Sequence, residues 1–261
     1  MNKRSIVLIV GLVIIAIVLV LNGVVFTVKE ADVDFDIESS FTVEEGLDER
    51  IISASGIRKG KNIFSVSESK IVSNIEASIP TVRVINVERR FPNKIIIHVS
   101  RRIPVYAIAY RQNLTTALRY VLVDGDMRVL DLVDSDIGPY TKVEGFSLIG
   151  RYGIEVGKTL SVDFGREIFY LQNIVTSFYT AGLTPNGFVE FIKAIRMEND
   201  IVYADTNSGV TITLGANLTT ADISERIPKA YAWYTAQPEG SGELTKGTIW
   251  YDGEKFVYYY E

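Results

Sequence analysis

An unbroken apolar run near the N-terminus constrains this chain more than any other feature of its sequence. Residues 6–26 contain one polar side chain, that of Asn22. As a helix, this run would span roughly 31 Å, which is close to the thickness of the hydrocarbon core of a bilayer. Lys3 and Arg4 precede the run, whereas acidic residues dominate after it. This asymmetry predicts a cytoplasmic N-terminus and extracytoplasmic domains.

A cleaved signal peptide is the alternative interpretation of the same run. Its apolar region would be shorter, and small residues in an A-x-A-like pattern would follow it. Neither feature is present. We therefore expect residues 1–27 to form a cytoplasmic tail and an uncleaved transmembrane helix, which makes the chain a single-pass protein of the cytoplasmic membrane.

Composition excludes several classes of function. The 261 residues have a formal net charge of -5, which argues against binding to nucleic acid. The chain contains no cysteine, so it has no disulfide, thiolate metal site or cysteine nucleophile. Its one histidine, His98, cannot form a zinc site by itself. We predict no catalytic residue, no cofactor and no metal, and hence that the protein is not an enzyme.

Three short motifs suggest chemistry but fit it poorly. Residues 56–62 resemble a phosphate loop, but they are one residue too short and lack the Ser or Thr that would contact magnesium. Residues 145–150 are one residue too long for a nucleophile elbow. Residues 124–126 read Asp-Gly-Asp, which could contact calcium but is more typical of a hairpin turn.

Residues 28–103 show the pattern of a small βααββ domain. Residues 31–37 alternate as a strand does, and two helices follow, each preceded by a capping box. The first box pairs Thr42 with Glu45, and the second pairs Ser65 with Glu68.

The two final strands of this domain, at residues 82–89 and 94–101, flank the turn Phe-Pro-Asn. The apolar face of the first strand switches between Val84 and Ile85, which predicts a bulge. In the second strand Ile95, Ile97 and Val99 share one face, which we expect to cover the two helices.

Residues 104–261 are predicted to form a mixed α+β domain with a mainly antiparallel sheet. Short alternating segments bounded by turn residues predict its strands, and apolar residues at helical spacing predict two helices. The helices are expected at 161–181 and 220–235, and the principal strands at 105–109, 120–123, 128–133, 192–197, 201–205, 210–214, 248–251 and 256–260.

The stretch from Pro80 to Val105 also resembles a known family. It reads P-T-V, then V-E-R-R-F-P-N, then I-H-V, then R-R-I-P-V. This pattern is similar to the signature of the extracytoplasmic POTRA domain in the bacterial cell-division family FtsQ, called DivIB in Gram-positive bacteria. The residues that form this motif and the junction with the next domain are Arg89, Arg90, Pro92, Arg101, Arg102 and Pro104. Ser100 departs from the family pattern, which usually has a glutamate there.

The resemblance implies a non-catalytic scaffold of the divisome at the septum, which links septal peptidoglycan synthesis to assembly of the division ring. The implied partners are FtsB/DivIC-like and FtsL-like single-pass proteins and the septal peptidoglycan synthase complex. Two other classes are a POTRA-bearing accessory protein of secretion or outer-membrane assembly, and an anchored cell-wall hydrolase. The single POTRA pattern behind an N-terminal anchor disfavours the first, and the lack of a catalytic constellation disfavours the second.

By the same resemblance, a partner strand is expected to add to the outermost strand of the second domain, which we predict at residues 248–251. Trp250 and Tyr251 point to opposite faces of that strand, so only one of them can be a solvent-side anchor. The predicted partner-binding residues are Thr248, Ile249, Trp250, Tyr251, Tyr258 and Tyr260.

The two arginine pairs leave two interpretations open: they could bind anionic lipid or polymer, or they could form a solvated sheet edge. Pro104 is expected to stiffen the junction, because proline restrains the residue before it to extended geometry.

Overall fold

The computed structural model describes residues 3–36, 44–113, 115–134, 137–236, 246–253 and 255–259. The chain divides into two units, Met1–Arg102 and Ile103–Glu261. Each unit has its own sheet and its own hydrophobic core.

The first unit begins with helix α1 (Lys3–Val20), and a π-helical turn (Leu21–Val25) continues it. Apolar side chains along this helix are exposed, among them Leu8 and Leu12. Within the described residues, no helix has both the length and the apolar character needed to cross a membrane.

A three-stranded sheet and two helices form the rest of the first unit. The strands are β1 (Glu30–Phe35), β2 (Val82–Arg90) and β3 (Lys94–Arg101), and the helices are α2 (Leu47–Ser55) and α3 (Glu68–Ser78). The sheet has the order β1-β3-β2, with β1 parallel to β3 and β2 antiparallel to it. This is the βααββ order that the sequence predicts.

The core of the first unit lies between the sheet and its two helices. Ile95, Ile97 and Val99 are fully buried, together with Ile51 on α2 and Ile75 on α3. The predicted inward face of β3 is therefore confirmed. The predicted bulge in β2 is confirmed as well, because the pairing register with β3 shifts between Val84 and Asn86.

The helix starts differ from the predicted capping boxes. Thr42 lies outside the described residues, and α2 begins after Gly46, which has a left-handed backbone with φ 75°. Ser65 does not cap α3, because it belongs to a separate 3-10 turn in which its hydroxyl donates to the Asn62 carbonyl over 2.7 Å. The residue that precedes α3 is Ser67.

A nine-stranded mixed sheet forms the second unit, with the order β12-β11-β10-β9-β8-β7-β4-β5-β6. Three neighbouring pairs are parallel, namely β10 with β11, β7 with β8, and β4 with β7, and the other five are antiparallel. The strands are β4 (Tyr106–Arg111), β5 (Arg119–Val123), β6 (Val129–Val133), β7 (Thr141–Ile149), β8 (Ile192–Glu198), β9 (Ile201–Thr206), β10 (Val210–Ala216), β11 (Gly247–Tyr251) and β12 (Phe256–Tyr259).

The helices of this unit are α4 (Arg166–Thr180), α5 (Pro185–Phe191) and α6 (Thr220–Thr235). Ile174 and Phe178 on α4 and Ile227 on α6 are fully buried in one core with the inward side chains of the sheet. The helix predicted from residue 161 instead starts as a 3-10 turn and is interrupted at Gly165, which has φ 143°. Helix α5 was not predicted from the sequence. The predicted bounds of α6 are confirmed, with Pro228 in its interior.

Candidate functional site at the end of the nine-stranded sheet

The outermost strand at one end of the sheet is β12, not β11. In β11, Trp250 pairs with Thr213 of β10 on one side and with Val257 of β12 on the other. The prediction that residues 248–251 form the edge is therefore wrong. The physical reason is that β11 and β12 form a hairpin that joins the sheet through β11. Within the part of the chain that the structure describes, no strand pairs with the other side of β12.

The backbone of β12 offers hydrogen-bonding groups to this open edge. Asp252 N–H donates to the Lys255 carbonyl over 3.1 Å, which makes these two residues a hydrogen-bonded pair at the turn that joins β11 to β12. Such pairs alternate along antiparallel strands. Val257 and Tyr259 therefore bond to β11, whereas Phe256 and Tyr258 direct their N–H and C=O groups away from it.

The side chains of the hairpin fall on two faces. Trp250 is 50% exposed and Tyr259 is 58% exposed on the solvent face. On the inner face Ile249 is fully buried. The Tyr258 ring lies 5.9 Å from the Trp233 ring of α6, and its hydroxyl donates to the Lys246 carbonyl.

The other predicted site residues are distributed over the same hairpin. Tyr251 is half-buried, with its ring 5.1 Å from the Phe256 ring and 5.1 Å from the Arg226 guanidinium. Thr248 is half-buried and pairs with Tyr259. Tyr260 lies outside the described residues. The structure thus brings five of the six predicted residues into one hairpin, with Trp250 as the exposed aromatic side chain of β11.

Trp250 also belongs to a row of side chains on the solvent face of the sheet. The row is held by Arg196, whose guanidinium lies 4.8 Å from the Tyr203 ring and donates to Asp205 over 2.5 and 3.2 Å. The hydrogen bond to Asp205 is the main cause of the raised pKa of Arg196. The row crosses six strands and consists of Glu144, Arg196, Tyr203, Thr213, Trp250 and Val257.

In the first unit, the two members of each arginine pair have different surroundings. Arg89 donates to the Val66 carbonyl over 2.8 Å, and the exposed Arg90 pairs with Glu88 over 3.0 Å. Arg102 is buried and donates to Glu76 over 3.0 Å, whereas Arg101 is exposed. The interpretation of the pairs as a solvated sheet edge is therefore wrong for Arg102, which is buried, while binding of anionic lipid or polymer by the pairs stays a prediction.

The prolines of the motif mark turns and the junction. Pro92 lies in the turn between β2 and β3 and follows a cis peptide bond. Pro104 lies outside regular structure, close to the division of the chain between Arg102 and Ile103. The proposed stiffening of the junction by Pro104 stays a prediction.

The histidine of this unit lies between two carboxylates. His98 Nδ1 is 2.9 Å from Asp34 on β1, and its Nε2 is 3.2 Å from Glu88 on β2. Hydrogen bonds from Arg90 and then from His98 lower the pKa of Glu88. Across the described residues, no group of three or more His, Cys, Asp or Glu side chains could hold a metal ion.

Sequence comparison identifies the domain that these contacts build. Residues 47–102 match a family model described as the POTRA domain, FtsQ-type. The chain contains an FtsQ-type POTRA domain. The match confirms the resemblance to the FtsQ/DivIB family that the motif between Pro80 and Val105 indicates. No curated protein matches the chain significantly.

One residue that organises the POTRA domain, Glu76, was not predicted from the sequence. Glu76 accepts hydrogen bonds from both the Arg102 side chain and the Val84 backbone. The sequence signal that could have identified Glu76 is a carboxylate directly beside Ile75, on the apolar stripe of α3. Its partner Arg102 lies 26 residues away along the chain, beyond the reach of any local pattern.

Proposed function

We propose that this protein is a non-catalytic scaffold of the bacterial division machinery, which joins septal peptidoglycan synthesis to assembly of the division complex. The FtsQ-type POTRA domain supports a role in cell division through protein–protein contacts. The observation that carries the proposal for the second unit is the open edge of β12, beside the exposed ring of Trp250.

The proposed location is the cytoplasmic membrane at the division septum. Residues 6–26 form the proposed single-pass anchor, with the N-terminus in the cytoplasm and both domains outside. Two properties of the chain support this anchor: Lys3 and Arg4 precede the apolar run, and the apolar side chains of α1 are exposed. Exposed apolar side chains are costly in water but not in lipid.

The proposed partners are FtsB/DivIC-like and FtsL-like single-pass proteins, and through them the septal peptidoglycan synthase complex. A partner segment would add to β12 as an extra strand. The outward N–H and C=O groups of Phe256 and Tyr258 would supply the hydrogen bonds, and side chains such as Trp250 and Tyr259 would supply specificity. In this arrangement Thr248, Ile249 and Tyr251 support the strand rather than contact the partner's backbone.

The experiment compares two substitutions at Tyr258 by pull-down of the partners from detergent-solubilised membranes. Tyr258→Ala and Tyr258→Pro both lose the contacts of the ring and the hydroxyl, but only proline removes the outward N–H. We expect the proline variant to capture partners several-fold less well than the alanine variant, while both give the same circular dichroism spectrum. Equal capture by the two folded variants would refute strand addition at this edge.

A further inference from the structure

Three phenylalanine rings form a cluster in the first unit, which we call the aromatic corner: Phe64 and Phe91, which are exposed, and Phe26, which is partly buried. The ring centroids lie 5.4 Å apart for Phe26 and Phe64, 6.2 Å for Phe26 and Phe91, and 5.3 Å for Phe64 and Phe91. Phe64 and Phe91 are each 57% exposed. Contiguous exposed apolar surface of this kind marks an interaction site.

Backbone hydrogen bonds hold the three segments of the aromatic corner together. Ile63 N–H donates to the Phe26 carbonyl, and Lys29 N–H donates to the Asn93 carbonyl, each over 2.8 Å. The Asn62 side chain accepts from Phe64 N–H over 2.9 Å. The exposure of these rings is therefore built into ordered backbone and does not result from a loose loop.

The position of the aromatic corner indicates what it contacts. Phe26 directly follows the π-helical turn that ends at Val25, so the corner begins where the apolar N-terminal run ends. Exposed cations accompany the same segments, namely Lys29, Arg58, Lys59 and Lys61. Exposed phenylalanine rings accompanied by Lys and Arg are typical of surfaces that lie in the interface between a bilayer and water.

We propose that the aromatic corner docks into the interfacial layer of the bilayer that holds the N-terminal anchor. The exposed rings of Phe64 and Phe91 enter the layer below the lipid headgroups, and the nearby cations contact lipid phosphates. This proposal rests on the proposed membrane anchor. Its consequence is that the POTRA domain is held against the membrane at two points, the anchor and the aromatic corner, and does not swivel freely about the anchor.

The test uses the full chain reconstituted into phospholipid vesicles, with tryptophan as the probe and brominated acyl chains as the quencher. Phe64→Trp places a probe in the aromatic corner. Ile85→Trp is the matched control, because Ile85 is also a large exposed apolar residue of the POTRA domain. It lies on β2 six positions before Phe91, roughly 20 Å along a strand. The parent protein, with its two tryptophans, gives the baseline that is subtracted.

We expect brominated lipid to quench the Phe64→Trp probe several-fold more strongly than the Ile85→Trp probe. The emission of the Phe64→Trp probe should also lie at a shorter wavelength than the emission of the same variant when it is unfolded without detergent. Phe91→Trp is the second probe in case Phe64→Trp does not fold. Equal, weak quenching at both the corner and Ile85 would overturn the proposal and would leave a protein partner as the occupant of the corner.

A further variant separates this proposal from the anchor on which it rests. Val13 is exposed on α1, so Val13→Trp reports whether the apolar run is inserted in lipid. Strong quenching at Val13 without quenching in the aromatic corner means that the anchor is correct and the docking proposal is wrong. An absence of quenching at Val13 overturns the anchor itself.

Discussion

Arg102 closes the POTRA domain onto Glu76. The Arg102 Nη2 donates to Glu76 Oε2 over 3.0 Å, and Glu76 Oε1 accepts the backbone N–H of Val84 over 3.1 Å. One carboxylate therefore joins helix α3, the bulge in β2 and the last residue of the domain. The side chain of Arg102 is 6% exposed and that of Glu76 is 15% exposed, so this ion pair is largely shielded from water.

The first prediction concerns this pair. Glu76→Gln keeps the shape of the side chain but removes the carboxylate charge that faces the buried Arg102 guanidinium, which should lower the free energy of unfolding by about 3–5 kcal/mol. The control is Glu44→Gln, because Glu44 pairs with Arg50 over 3.3 Å at the surface, where such pairs contribute about 0–1 kcal/mol. Thermal unfolding of the full chain in detergent, followed by circular dichroism, measures both. Similar melting temperatures for the two variants would contradict this account of the pair.

The second prediction concerns a glycine that strands β7 and β8 require. Gly145 has φ +77°, and a Cβ added there would lie 1.9 Å from the Met197 carbonyl oxygen on β8. Gly145→Ala should therefore destabilise the second unit by roughly 3 kcal/mol or more, because backbone strain and a backbone clash act together.

Gly150 is the matched control for this substitution. It has φ +72°, but nothing lies within 4 Å of an added Cβ. Gly150→Ala should cost only the strain of the left-handed backbone, on the order of 1 kcal/mol. Urea unfolding of the two variants separates strain from clash. If both variants unfold at the same urea concentration, the close approach of the two strands is not rigid.

The third prediction distinguishes the two aromatic residues of β11. Trp250→Ala should weaken partner capture by more than ~1 kcal/mol with little effect on folding, because half of the Trp250 side chain is exposed beside the open edge. Tyr251→Ala should mainly destabilise the hairpin by about 1–2 kcal/mol, since Tyr251 packs against Phe256 and under Arg226. Pull-down and thermal unfolding of the same preparations test the contrast. The reverse pattern would place the binding surface on the inner face.

The fourth prediction concerns acid stability of α6, the helix that supports the hairpin. Asp222 accepts hydrogen bonds from the hydroxyl and the N–H of Thr219, which lower the pKa of Asp222 below its ordinary 3.8. A carboxyl group with a lowered pKa stabilises the fold above its ordinary pKa, and this stabilisation is lost as the pH falls through the lowered value.

Asp222→Asn should therefore reduce stability at pH 7 and flatten the loss of stability that the parent protein shows below about pH 4. Thr219→Ala removes the other half of the cap and should cost about 1 kcal/mol at neutral pH. Urea unfolding at neutral and acidic pH measures the slopes. Parallel pH profiles for the parent protein and Asp222→Asn would show that this carboxylate makes no contribution.

Local patterns were sufficient to predict the POTRA hairpin. Alternation in β3 identified its buried face, and the change of face at Val84 identified the bulge, because both depend on neighbouring residues in one strand. The contact between Arg102 and Glu76 could not be predicted, since it joins residues far apart along the chain.

The position of the open edge was missed for a similar reason. Strand order depends on which strand β11 meets after α6, and alternation within β11 carries no information about its neighbours. Sequence order suggested an edge at residues 248–251, whereas the pairing of Trp250 with both Thr213 and Val257 places that strand inside the sheet. Alternation within β11 predicted that either Trp250 or Tyr251 would be exposed. Only the packing of Tyr251 in the structure shows that Trp250 is the exposed residue.

The parallel pairing of β10 with β11 affects the order in which the parts of the sheet fold. Parallel neighbours need a long crossover connection, which here contains α6, and contacts between segments so far apart in sequence form slowly. Strand β11, to which β12 adds, is therefore among the last parts of the sheet to form. Under the proposed function, an exported chain would present the docking edge only once the rest of the second unit had folded, so partners would bind fully folded molecules.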